Sequence, residues 1–140
     1  MKPPTKRLEF TFERTILASP ELVYDAWLDP KTPGTPWNMA EKLILNPEVD
    51  GFFYWLVNET AHYGRFTEIE HAARIRHTWV SPKTLGEESI VNVSFKKHGE
   101  HTLMTLVHSD LPDNELAKGH EKGWKYFMDS FTQGFNEAPQ

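Results

Sequence analysis

Apolar and polar positions follow two rhythms along the chain. Leu8, Phe10 and Phe12 alternate with Glu9, Thr11 and Glu13, which predicts a half-buried first strand. Strands are also predicted at 43–45, 52–57, 62–70, 74–80, 90–95 and 102–108. Asn46-Pro47, Asp50-Gly51, Asn58-Glu59 and Glu70-His71-Ala72-Ala73 supply turns between them, with a wider loop at 81–88 and a hairpin around Lys97-His98-Gly99-Glu100. Leu111-Pro112-Asp113 leads out of the last strand. The period then changes. Trp124, Phe127, Met128, Phe131 and Phe135 recur at helical spacing as one apolar stripe, with Lys122, Lys125 and Asp129 opposite. A shorter helix is predicted after the first strand. Ser19 is its N-cap, Pro20 its first residue, Leu22, Val23, Ala26 and Trp27 its apolar face, and Asp29-Pro30 its end. Residues 31–39, with Pro33, Gly34 and Pro36, read as a loop or a broken helix.

This order predicts an α+β fold. A curved antiparallel sheet of six or seven strands is covered on one face by the long C-terminal helix, with a short helical segment after the first strand. Such packing tends to trap a cavity between helix and sheet. The 140 residues suit one domain, 1–140, with no linker or repeat.

Composition narrows the functions. The absence of cysteine excludes disulfides and thiolate chemistry and fits a cytoplasmic protein. The basic start Met1-Lys2-Pro3-Pro4-Thr5-Lys6-Arg7 has no apolar run behind it, so no secretory leader is expected, and no segment is apolar enough to insert in a membrane. A net charge of −5 without a basic block argues against nucleic acid. Aromatic residues make up 13% of the chain and five are tryptophan, enough for a large core with some rings left for a pocket.

Strand parity picks out candidate pocket residues. Ile75, His77 and Trp79 share one face, as do Val91, Val93 and Phe95, and Met104, Leu106 and His108; these sets are expected to face the helix. Phe66 is expected inward. Alternation alone leaves open whether Phe53 and Trp55 or Phe52 and Tyr54 point inward; the first pair is favoured because a tyrosine hydroxyl is better placed outside. Trp37 and Met39 are candidates for a lid, and Tyr24 and Trp27 for core or mouth. The candidate ligand-binding set is therefore Trp37, Met39, Phe53, Trp55, Phe66, His77, Trp79, Val93, Leu106, His108, Trp124, Phe127, Met128 and Phe131. A buried imidazole must be hydrogen-bonded, either to the protein or to a ligand's polar end. No catalytic set is completed: cysteine and Gly-x-Ser-x-Gly are both absent. No metal site is expected, because His98 and His101 bracket a hairpin without an evident third ligand, and no cofactor loop is present. Gly123 is read as allowing the helix close to the sheet.

The segment Glu13-Arg14-Thr15-Ile16, followed by 18–27 (ASPELVYDAW), resembles the opening of the SRPBCC superfamily, the helix-grip fold of START domains and the birch pollen allergen. Segments 64–69, 74–79 and 102–108, with Gly123-Trp124, resemble the branch related to the C-terminal domain of the activator of the heat-shock-protein-90 ATPase. The likeness implies a helix gripped by a sheet around a cavity. The segment before Trp37 departs from the family's pattern in its prolines. Members include hydrophobic-ligand carriers, cyclases and the chaperone activator, so the fold does not choose the function. The leading expectation is a binding protein for a small hydrophobic or amphipathic molecule. The alternatives are a co-chaperone-like regulator of that ATPase and a cyclase- or hydrolase-type enzyme using the cavity histidines. An edge strand with exposed apolar residues could support a homodimer.

Overall fold

The alternating segments form seven strands: β1 Arg7–Ile16, β2 Lys42–Leu45, β3 Phe52–Val57, β4 Thr60–Glu70, β5 Arg74–Trp79, β6 Ser89–His98 and β7 His101–Pro112. Two helices, α1 Pro20–Trp27 and α2 Glu115–Asn136, complete the fold. This computed structural model describes residues 7–137; the basic start before Arg7 lies outside the described residues. The strands build one antiparallel sheet in the order β1-β7-β6-β5-β4-β3-β2. Strands β2 to β7 form a meander, and β1 is added beside the last strand. The α+β architecture is the one expected.

Local chemistry sets the details. Ser19 caps α1 by accepting from the Leu22 amide, and Asn114 caps α2 by accepting from the Ala117 amide at 3.1 Å. Strand β4 changes partner along its length, pairing β3 through Arg65 and β5 from Phe66. Gly64 sits at that handover, where a Cβ would collide with the Thr78 carbonyl and the Phe53 ring. A bulge follows, with Thr67 the extra residue between the Phe66–His77 and Glu68–Arg76 pairs. The core lies between the concave sheet face and α2. It holds Phe53, Phe66, Ile75, Val93, Leu106, Met128 and Phe131, among others.

Two expectations are corrected. Strand β7 does not stop at 108: a bulge at Ser109-Asp110, with Asp110 at φ 64°, resumes the pairing at Leu8–Leu111 and seals Leu111 in the interior. In α1 the buried residues are Val23, Tyr24 and Trp27, while Leu22 is exposed, because Tyr24 packs edge-on against Phe95 at 5.4 Å. In β3 the favoured pair, Phe53 and Trp55, points inward, and Phe52 is 65% exposed. Residues 31–39 are a loop, one of the two forms expected, ending in a 3-10 turn at Trp37–Met39.

Candidate functional site

The inward parity of β3, β4 and β5 places Trp55, His62 and Trp79 side by side, with ring centroids 4.5 to 5.6 Å apart. The helical period of α2 brings His120, Trp124 and Phe127 over them: Trp124 lies 5.2 Å from Trp79, and Phe127 lies 5.9 Å from Trp55. Between these walls is a cleft of about 340 Å³, open to solvent, with Met39, Tyr126, Lys83 and Lys122 among its lining residues. It exists because one flank of α2 is bare. Gly119 and Gly123, one turn apart, line it, and a Cβ at either position would meet no atom within 4 Å. Gly123 therefore leaves space beside the helix; it does not bring the helix against the sheet as expected from the sequence.

Two hydrogen-bond chains fix the floor. The Trp124 indole N–H donates to His108 Nδ1 at 2.8 Å, His108 Nε2–H donates to Ser89 Oγ at 2.8 Å, and the Ser89 hydroxyl donates to the Trp79 carbonyl at 2.7 Å. In parallel, the Trp79 indole N–H donates to His120 Nε2 at 3.2 Å, and His120 Nδ1–H donates to the Ala117 carbonyl at 2.8 Å. These tautomers are assigned because each is the one that satisfies both ring nitrogens. A third ring, His62, donates from Nδ1 to the Trp55 carbonyl at 3.3 Å. His77 donates from Nδ1 to the Thr78 carbonyl at 2.9 Å. Among the described residues the indole N–H groups of Trp37 and Trp55 have no acceptor.

Burial keeps all four imidazoles neutral by disfavouring the charged form. It holds His62 and His77 down to about 4 and His108 down to about 2, the last helped by neighbouring His120 and His77. His120 is lowered by burial and by the charge of Lys83. The charge of Lys83 also disfavours protonation of His62, and all three residues line the same cleft.

The cleft brings together five of the sequence-predicted site residues: Met39, Trp55, Trp79, Trp124 and Phe127. The others lie elsewhere. Phe53, Phe66, Val93, Leu106, Met128 and Phe131 are sealed in the core, none more than 1% exposed. Trp37 is buried against Phe53 at 5.3 Å. His77 and His108 point inward as expected but do not line the cleft: His77 packs against Phe53 and Phe66, and His108 sits beneath Trp124. The sequence reading missed His62, Lys83, Gly119, His120, Lys122 and Tyr126. His120 had a signal, because it stands four residues before Trp124 on the apolar stripe, and His62 shares a strand face with Phe66. Among the described residues no group of three or more His, Cys, Asp or Glu side chains could hold a metal ion, and no helix is long and apolar enough to cross a membrane.

A family model described as Activator of Hsp90 ATPase homolog 1-like protein matches residues 17–136. Among solved structures, protein MLL2253 from Mesorhizobium loti superposes with a TM-score of 0.79 at 19% identity, covering 95% of this chain and 100% of that one. The Aha1 dimer from Colwellia psychrerythraea gives a TM-score of 0.74 at 15% identity over 91% of this chain and 96% of that one. PFC0360w, an HSP90 activator from Plasmodium falciparum, gives 0.71 at 20% identity over 90% and 91%. At such identities the likenesses establish the fold alone. No curated protein sequence matches the chain. The family match spans all but the first strand and the last few residues, and the curved sheet closed by a long helix recurs in these neighbours: the chain belongs to the Activator of Hsp90 ATPase homolog 1-like family of the SRPBCC superfamily.

Proposed function

We propose that this protein binds a small hydrophobic or amphipathic molecule in the cleft between the sheet and α2. The carrying observation is the cleft itself. About 340 Å³ is left open beside a helix that could have filled it, and three tryptophans form much of its wall. That volume falls within the range of small-molecule sites, and apolar walls with a few polar groups are their usual chemistry. The tryptophans also provide the assay. Titration with the uncharged fluorescent probe N-phenyl-1-naphthylamine, read by energy transfer from tryptophan, is expected to saturate at one site. Native mass spectrometry of protein purified without added ligand is expected to carry a bound small mass. Absence of saturable binding together with a bare mass spectrum would refute the reading.

A second reading, regulation of the heat-shock-protein-90 ATPase, is favoured by the family description and by the Plasmodium neighbour, an HSP90 activator. An unchanged ATPase rate with a stoichiometric excess of this protein would remove it. An enzyme using His77 or His108 has less support, since neither ring lines the cleft and both nitrogens of His108 are committed. A homodimer is supported by the Colwellia dimer and by Ile44, Phe52 and Tyr63, exposed on the outer face of β2 to β4.

A further inference from the structure

We infer that the cleft selects an anionic amphiphile. Its flat apolar body would lie against the tryptophans, and its carboxylate, sulfonate or phosphate group would be held at the mouth by Lys83 and Lys122. The inference deepens the ligand-binding reading above and rests on it.

The argument begins with charge. The chain carries 20 acidic against 15 basic residues, yet the cleft is lined by two lysines and no carboxylate. It is a positive recess in a negative protein, and apolar walls strengthen the field inside such a recess. The two lysines are also unspent. On the same helix Lys118 pairs with Glu115 at 3.2 Å and Lys125 with Asp129 at 2.7 Å, whereas Lys122 and Lys83 have no ion-pair partner among the described residues. Lys83 lines the cleft together with His62 and His120.

The floor cannot supply a counter-charge. His120 has spent both ring nitrogens on Trp79 and Ala117, and a neutral imidazole offers no negative charge. The Trp55 indole adds a further N–H without an acceptor. The only charged groups of this wall are thus cationic, and the acceptors it offers, His62 Nε2 and the side-chain oxygens of Asn58, Thr60 and Tyr126, carry no formal charge. An uncharged ligand leaves the ammonium groups uncompensated, and a cationic one is repelled.

The test compares two probes with the same ring framework. The anionic probe is 1-anilinonaphthalene-8-sulfonate, and the uncharged one is N-phenyl-1-naphthylamine. Two exposed charge contacts of ordinary strength should make the sulfonate bind about ten-fold more tightly at low salt. That advantage should shrink as salt is added. In the double variant Lys83→Gln/Lys122→Gln it should vanish, with the uncharged probe's affinity unchanged. Gly123→Leu should abolish binding of both probes, which assigns the signals to the cleft. Equal affinity of the two probes for the unmodified protein would overturn the inference. So would sulfonate binding that survives either the double variant or Gly123→Leu. All three results would leave the ligand-binding reading standing if the uncharged probe still bound in the cleft. If neither probe bound, the two readings would fall together.

Discussion

Acidification provides a direct measure of what the buried imidazoles contribute. His62, His77, His108 and His120 are neutral in the folded protein because burial lowers their affinity for a proton. Released by unfolding, each takes up a proton near its ordinary value of 6.5. The unfolded chain therefore binds more protons, so the stability is fully present above 6.5 and is lost as pH falls. At about pH 5, a histidine held at about 4 in the fold costs roughly 2 kcal/mol relative to neutral pH. His62, His77 and His108 together then cost about 6 kcal/mol, and His120 adds to this. That is a large part of the roughly 5–15 kcal/mol that holds a domain of this size together. Carboxylates of ordinary affinity, near 4, contribute little above about pH 5. Asp129, held below its usual range by Lys125 and Arg14, acts only at lower pH. The assay is urea unfolding followed by tryptophan fluorescence at about pH 8 and about pH 5, with imidazole resonances followed by NMR. A loss of less than about 1 kcal/mol, or ring signals of His62, His77 and His108 titrating near 6.5, would refute the reasoning.

Two further outcomes test the floor and the bare flank. Ser89→Ala removes the acceptor of His108 Nε2–H and the donor to the Trp79 carbonyl, both buried, and should destabilise by about 1–3 kcal/mol in chemical denaturation. Gly123→Ala should stabilise by about 0.5–1 kcal/mol, since a helix-interior glycine is replaced where the new methyl meets nothing; a destabilised variant would mean the flank is not open.

The sheet, the closing helix and most inward faces were legible because each rests on a local rhythm. The parity of 75–79 and 104–108 placed two histidines inside, and the stripe from Trp124 to Phe131 named the packing face of α2. What could not be read was which interior residues border empty space. Phe53 and Trp55 stand two apart on one face, yet one is core and the other is wall. That difference is made by glycines on a helix far away in sequence. Lys83 and Lys122 were hidden for a related reason: both read as ordinary surface lysines until the short turn at Pro82–Thr84 and the helix are brought together. The path of β7 past 108 was also invisible, because it depends on a bulge in its pairing with β1, a strand remote in sequence.

The placement of β1 has a consequence for how the protein is made. Its partners are β7 and α2, both synthesised long after it: Thr15 pairs with Leu103, Arg14 reaches Asp129, and the Leu17 amide donates to Asn136. Strand β1 therefore waits while the intervening strands are made, with its apolar face uncovered. Contacts of such sequence separation are slow to form. The growing chain can build the β2 to β6 meander early, but it completes its core only when α2 has left the ribosome. During that interval the unpaired edge of β1 is the segment most in need of shielding from other nascent chains.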